Sequence, residues 1–320
     1  MRKHSVLAVQ ERAPADRPLR QGWRMASISM RLIGGYLRLT SRPSMATVAR
    51  AQAAIAAPKH DSPPPKGLRR RHDVERLEVD GFPCFRVRPG GRTAGRAALY
   101  LAGGSYIHPM APQQWTFVDH LAAAGVEVVV ARYGLAPEHT HRDAYPFVTE
   151  AYRRLVTRVG AQATTIVGDS AGGGLALGLA QTLDEAGLPQ PRLLMLLAPW
   201  VDLTLEDPAI PAVEADDPWL TRVGLVEAGR AWADGDDPRQ PRLSPIEGPL
   251  DGLAPIHAYV GTRDVLSPDV LRLQRRFEAA GLGRDRFRLT VAQGALHNYP
   301  LLPTPEGRLA ERAILREIAG

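Results

Sequence analysis

The sequence predicts an α/β domain whose central sheet is mostly parallel and covered by helices on both faces. Three observations carry that expectation. From about residue 74, short apolar runs rich in β-branched residues alternate with longer helix-like stretches. The runs are continuously apolar, as in strands buried on both faces. At 164–175 one run passes through a glycine-flanked turn straight into a helix-like stretch. A chain of 320 residues is long enough for one large domain of this kind.

Residues 1–24 are polar, charged and proline-containing, and read as a flexible extension, with Met25 an alternative start. Residues 25–72 read as a helical cap segment and linker. Its first helical pattern spaces Ile28, Leu32, Tyr36 and Leu39 along one face, with Arg31 and Arg38 interleaved and Gly34-Gly35 weakening it. Its second, from Ser44 to Ala57, is alanine-rich and stops at Pro58. Such a pair packs as a lid on its own domain or lies on a membrane, and the lid is favoured, because most amphipathic helices turn their apolar face inward. Residues 61–72 read as a linker, since Pro63, Pro64 and Pro65 exclude helix and sheet interiors.

Residues 73–320 read as the catalytic domain. Strands are expected at Leu99–Ala102, Val126–Ala131, Thr164–Gly168, Leu193–Ala198, Ile256–Val260 and Phe287–Ala292. Helices are expected at Asp143–Val159, Ala171–Ala186, Asp269–Ala280 and Glu306–Ile318. Between Trp200 and Pro255 the alternation breaks into an acidic, proline-rich stretch, an insertion near 200–250 over the end of the sheet.

The formal charge of +6 resides in the N-terminal segment. Residues 1–80 hold 16 Lys and Arg against 7 Asp and Glu, while the other 240 hold 24 against 27. The body is therefore slightly acidic, and nucleic acid is not an expected partner. The single cysteine, Cys84, lies in a strand-like run and reads as a buried, inert thiol. No signal peptide and no run long enough to span a bilayer are seen, so a soluble cytoplasmic protein is expected, with peripheral membrane contact through residues 26–57 as the alternative.

Gly168-Asp169-Ser170-Ala171-Gly172 is G-x-S-x-G in the strand–turn–helix setting that motif needs. A tight turn requires minimal side chains two residues before and after the serine. It lifts the Ser170 hydroxyl above the sheet, with a helix N-terminus behind it. A serine hydroxyl needs a base, and the base needs an orienting carboxylate. His297 follows the last strand at a carboxyl end, whereas His257 lies inside a strand and reads as structural. Asp264 follows the preceding strand; its rival Asp269 opens a helix and suits capping. Backbone donors for an oxyanion are expected from Gly103, Gly104 and Ala171. Ser105 and Tyr106 follow that loop and are candidate pocket residues. Trp115, Trp200, Trp219 and Trp232 read as core rather than pocket wall, and His108, His139 and His141 lack metal-ligand spacing. No metal and no cofactor are implied.

With these motifs in order, the chain resembles the hormone-sensitive-lipase-like (family IV) bacterial esterases and lipases, a branch of the α/β hydrolases. Gly168–Gly173 matches their nucleophile motif, Tyr133-Gly134-Leu135-Ala136-Pro137-Glu138 resembles their Y-R-L-A-P-E segment, and Ala198–Asp202 resembles the segment after their next strand. The resemblance spans roughly 75–318. It implies an α/β-hydrolase fold, a helical cap, and cleavage of short- or medium-chain carboxylic esters through an acyl-enzyme. Two positions depart from it: H-G-G-G becomes Ala102-Gly103-Gly104-Ser105, and Gly134 stands where arginine is usual, with Arg132 two residues earlier. Ala102 motivates a competing expectation, a non-catalytic ligand-binding relative. Amide or lactone hydrolysis is a third, because the same nucleophile serves all three acyl groups.

Overall fold

The structure is a computed structural model, and it describes residues 26–60, 62–91 and 94–320. The expected N-terminal extension, Met25 and the linker residue Asp61 lie outside the described residues.

Among the described residues eight strands form one sheet: β1 (Asp73–Val79), β2 (Phe82–Arg88), β3 (Arg96–Leu101), β4 (Val126–Ala131), β5 (Thr164–Asp169), β6 (Leu193–Leu197), β7 (Ile256–Arg263) and β8 (Phe287–Leu296). Their order is β1-β2-β4-β3-β5-β6-β7-β8. β1 and β2 are antiparallel additions, and β3 to β8 run parallel. The β1–β2 hairpin turns at Asp80-Gly81, both at positive φ (46° and 81°), as a two-residue hairpin requires. All six expected strands are present. The acidic β1 escapes the apolar-run criterion because it is an edge strand with most side chains exposed or half-buried.

Among the described residues ten α-helices complete the fold: α1 (Ile28–Thr40), α2 (Val48–Ala56), α3 (Lys66–Arg71), α4 (Pro112–Ala123), α5 (His141–Val159), α6 (Ala171–Thr182), α7 (Ile210–Asp216), α8 (Arg222–Ala233), α9 (Ser267–Ala279) and α10 (Pro305–Ala319). Strand alternation sends side chains to two cores. Leu99, Val129, Leu194 and Leu196 meet α5, α6 and α9 on one face. Tyr100, Val128, Val130 and Met195 meet α4 and α10 on the other. Cys84 is buried, which pushes its thiol up to about 12 and keeps it protonated at neutral pH.

Two N-terminal expectations change. The prolines do not exclude a helix from 61–72, because α3 starts immediately after Pro65, where a missing backbone N–H costs nothing. In α1 the expected apolar face is not the buried one. Met30 and Gly34 are buried, while Ile28, Leu32, Tyr36 and Leu39 are 66–81% exposed. Gly34 faces Pro218 and Leu296 there, at distances (3.4 and 3.5 Å) where a Cβ would make ordinary van der Waals contact. Tertiary contact on this small-residue face keeps α1 helical through Gly34-Gly35.

The stretch 200–250 carries α7 and α8. α2 packs on α8, with Gln52 Nε2 donating to Glu227 Oε2 at 3.1 Å. Between α1 and α2, the Met45 carbonyl accepts from Thr221 Oγ1 at 2.5 Å, and Arg42 donates to the Asp217 carbonyl. Both helical segments thus meet above the carboxyl ends of β5, β7 and β8.

Candidate active site

Ser170 sits between β5 and α6 with φ 53° and ψ −124°, a conformation that L-residues avoid. The turn holds because its neighbours are glycines. A Cβ on Gly168 would overlap the Gly172 carbonyl, and one on Gly172 would overlap the Leu101 carbonyl. Ser170 N–H donates to Leu197 O at 2.8 Å, tying the elbow to β6.

The structure brings the three sequence-predicted side chains together. His297 Nε2 lies 2.9 Å from Ser170 Oγ, and His297 Nδ1 lies 2.9 Å from Asp264 Oδ2. Asp264 Oδ1 accepts from Leu266 N at 3.0 Å. All three are at most 5% exposed. Burial disfavours the imidazolium, but Asp264, with Asp217 and Asp169 behind it, outweighs burial and raises His297 above the ordinary histidine range. The rivals lie elsewhere. His257 is held by Glu317 and Thr290 at 2.8 and 3.0 Å, as expected of a structural histidine. Asp269 does not cap α9: it is buried, neither carboxylate oxygen has a hydrogen-bond partner among the described residues, and burial beside Asp202 pushes it up to about 8.

A second buried carboxylate, Asp217, supports the loop that carries Asp264. Its Oδ2 accepts from Val265 N at 2.9 Å, and its Oδ1 accepts from Trp219 N and Leu220 N at 2.8 and 3.0 Å. Burial and the neighbouring Asp264 charge raise Asp217 to about 6. Trp219 in turn sets its ring at 5.5 Å, nearly perpendicular, to the His297 imidazole.

Asp169 occupies the hub beneath the loop at 102–106. Its oxygens accept from Tyr100 Oη (2.6 Å), Gln114 Nε2 (2.9 Å), Asn298 Nδ2 (2.9 Å) and Gly103 N (3.1 Å). Gln114 also donates to the Gly103 carbonyl at 3.1 Å, and Tyr133 Oη donates to the Ala102 carbonyl at 2.5 Å. These contacts hold the loop where Ala102 supplies no polar side chain. They also correct one expectation: the Gly103 N–H is engaged by Asp169. The N–H groups of Gly104, Ser105 and Ala171 have no acceptor among the described residues. Gly134 has an explanation too, because a Cβ there would collide with the His139 ring. Arg132 instead donates to the Ser62 carbonyl at 2.6 Å.

A cavity of about 420 Å³ opens over Ser170 and His297. Its wall includes Gly104, Ser105, Ser44, Met45, Trp219 and Leu225. Ser105 is therefore a pocket residue. Tyr106 is not on the wall: it is buried and stacks on Trp232 at 4.3 Å, in a core cluster with Tyr133 and Trp200. Trp219 lines the cavity, whereas Trp115, Trp200 and Trp232 are core. Gln114, Asn298, Tyr100 and Asp217 were not singled out from the sequence; only the adjacency of Asn298 to His297 offers a signal there. Among the described residues no group of three or more His, Cys, Asp or Glu is placed to hold a metal ion.

Fold and site together define a hydrolase scaffold with a buried serine, histidine and aspartate in hydrogen-bonded series beside a cavity. Residues 98–301 match a family model described as alpha/beta hydrolase fold, and the chain belongs to that family. LipR of Mycobacterium tuberculosis is 32% identical over 253 residues, 76% of this chain and 78% of LipR. An acetyl-hydrolase of Streptomyces hygroscopicus is 35% identical over 198 residues, 61% of this chain and 66% of that protein. A solved esterase/lipase from an uncultured bacterium is 27% identical, with a TM-score of 0.74 over 92% of this chain and 97% of its own. No helix among the described residues is long and apolar enough to cross a membrane.

Proposed function

We propose that this protein is a serine carboxylester hydrolase acting on short- or medium-chain acyl esters, with Ser170 as nucleophile, His297 as base and Asp264 as its orienting acid. The observation that carries the proposal is the His297 ring, held within 2.9 Å of both Ser170 Oγ and Asp264 Oδ2 at the floor of a cavity. As Ser170 Oγ attacks the ester carbonyl carbon, its proton passes to His297 Nε2. The negative charge that develops on the carbonyl oxygen is met by backbone N–H groups of Gly104, Ser105 and Ala171, reinforced by the α6 N-terminus. Collapse breaks the carbon–oxygen bond, and the departing alcohol takes the proton from His297. Water then attacks the acyl-serine with His297 again as base; the acyl–Oγ bond breaks, His297 returns the proton to Ser170 Oγ, and the carboxylic acid leaves.

A cavity of about 420 Å³ lies at the lower end of small-molecule sites and suits a compact ester. The name of the Streptomyces relative, an acetyl-hydrolase, supports the same substrate class. A binding-only role has less support, because the loop bearing Ala102 is held by Tyr133, Gln114 and Asp169 and keeps donors free.

The test is hydrolysis of p-nitrophenyl acetate, butyrate, octanoate and palmitate by wild type and Ser170→Ala. Wild-type activity on the shorter esters that falls at least about 10⁴-fold in the variant is expected. No wild-type activity on any ester would return the weight to ligand binding. Faster turnover of matched amides or lactones would move the substrate class.

A further inference from the structure

We propose that α1 seats this protein on an anionic lipid surface, with Ile28, Leu32, Tyr36 and Leu39 entering the acyl boundary and Arg31 and Arg38 against lipid phosphates. The four apolar side chains are 68%, 70%, 66% and 81% exposed. At 3.6 residues per turn they fall within about a quarter of the helix circumference, so they form one stripe and not four scattered contacts. The opposite face, through Met30 and Gly34, is already packed on the domain. A helix apolar on both faces is ordinarily buried on both. Here the outer face is left largely exposed by the described residues.

Charge identifies the occupant. Arg31 and Arg38 lie on one flank of the stripe, both exposed and paired with no acid among the described residues. From residue 17 to residue 60 the sequence contains no Asp or Glu, and residues 1–60 hold eleven Lys and Arg against two acids. An apolar stripe bordered by arginine in an acid-free segment is the composition of a helix lying in the plane of an anionic membrane. A second copy would set these cationic segments against each other, and the first 24 residues carry the same sign of charge. Neither is favoured by charge, as lipid phosphate is. The C-terminal residue of α1, Thr40, and the next residue, Ser41, line the cavity over Ser170. Docking through α1 therefore puts the cavity beside the lipid.

The test is co-sedimentation of the full chain with vesicles of phosphatidylcholine, alone or with about 30 mol% phosphatidylglycerol. Wild type is expected to bind the anionic vesicles, less so at high salt, and the neutral ones weakly. Ile28→Ser/Leu32→Ser/Tyr36→Ser/Leu39→Ser should lose binding at least about tenfold, and Arg31→Gln/Arg38→Gln roughly tenfold on anionic vesicles only. Melting temperature and hydrolysis of a soluble ester report that the variants remain folded. Ser170→Ala should bind vesicles as wild type does, so the outcome is independent of the proposed chemistry. Three outcomes would overturn the proposal: no sedimentation of wild type, undiminished binding by the quadruple variant, or a solution mass that halves in that variant, which would assign the stripe to a second copy.

Discussion

The protonation of His297 sets the acid side of the proposed reaction. The imidazole must be neutral to take the Ser170 proton, and its pKa is raised because Asp264, Asp217 and Asp169 outweigh burial. Activity should therefore rise with pH through a midpoint above that of ordinary histidine, about 6.5. In Asp264→Asn the principal attraction is gone, so the midpoint of kcat/KM against pH should move down. The rate itself should drop about 10³-fold or more, since the ring loses its orientation. An unchanged midpoint would show that Asp264 does not control the base. Gln114 is the second test at this scale. Gln114→Ala removes the donor to the Gly103 carbonyl and one of the four donors to Asp169. We expect kcat to fall about 10- to 100-fold with KM little changed, the signature of a slackened oxyanion loop. A change in KM alone would place Gln114 in substrate binding instead. Ser170, Asp264 and His297 were legible in the sequence because each follows a recognisable strand. Gln114 was not, because it acts across the fold on the Gly103 carbonyl, and Tyr133 was visible only as the first residue of a motif, without its bond to the Ala102 carbonyl.

Among the elements, the loop from α7 to α8 depends on one carboxylate. Asp217 accepts three backbone N–H groups, from Trp219, Leu220 and Val265. Asp217→Ala leaves them without partners in a buried setting, and should cost about 3 kcal/mol in denaturant unfolding. A loss well under 1 kcal/mol would mean that the loop relaxes to water. In α9, Asp269 makes a different prediction. Its folded pKa of about 8 lies far above the unfolded value near 3.9, so its contribution to stability is greatest below pH 4 and is lost as pH rises toward 8. Asp269→Asn removes that slope, and the difference in unfolding free energy between variant and wild type should grow from pH 5 to pH 8. A constant difference would refute the raised pKa. The sequence located α5, α9 and α10 within a few residues because each turns one apolar face to the core, and α6 because it follows the nucleophile turn as a continuously apolar, wholly buried run. It mistook the orientation of α1, where four large residues signal a stripe but the face packed on the domain is the one carrying Met30 and Gly34.

For the whole molecule, the six parallel strands were visible as apolar runs, and their covering by two helical layers follows from continuous burial. The meeting of α2 with α8 was not visible. The two segments are separated by more than 150 residues, and neither carries a pattern naming the other. The cavity over Ser170 owes part of its wall to that meeting, through Met45 on one side and Leu225 on the other. The site itself is assembled from three loops after β5, β7 and β8, with Ser170 and His297 separated by 127 positions in the chain. Its order in the chain has a consequence for synthesis. A polypeptide still emerging from the ribosome displays the nucleophile long before the base exists. It stays chemically silent until the strand preceding His297 has joined the sheet edge, so hydrolysis would report the arrival of the final strand and nothing earlier.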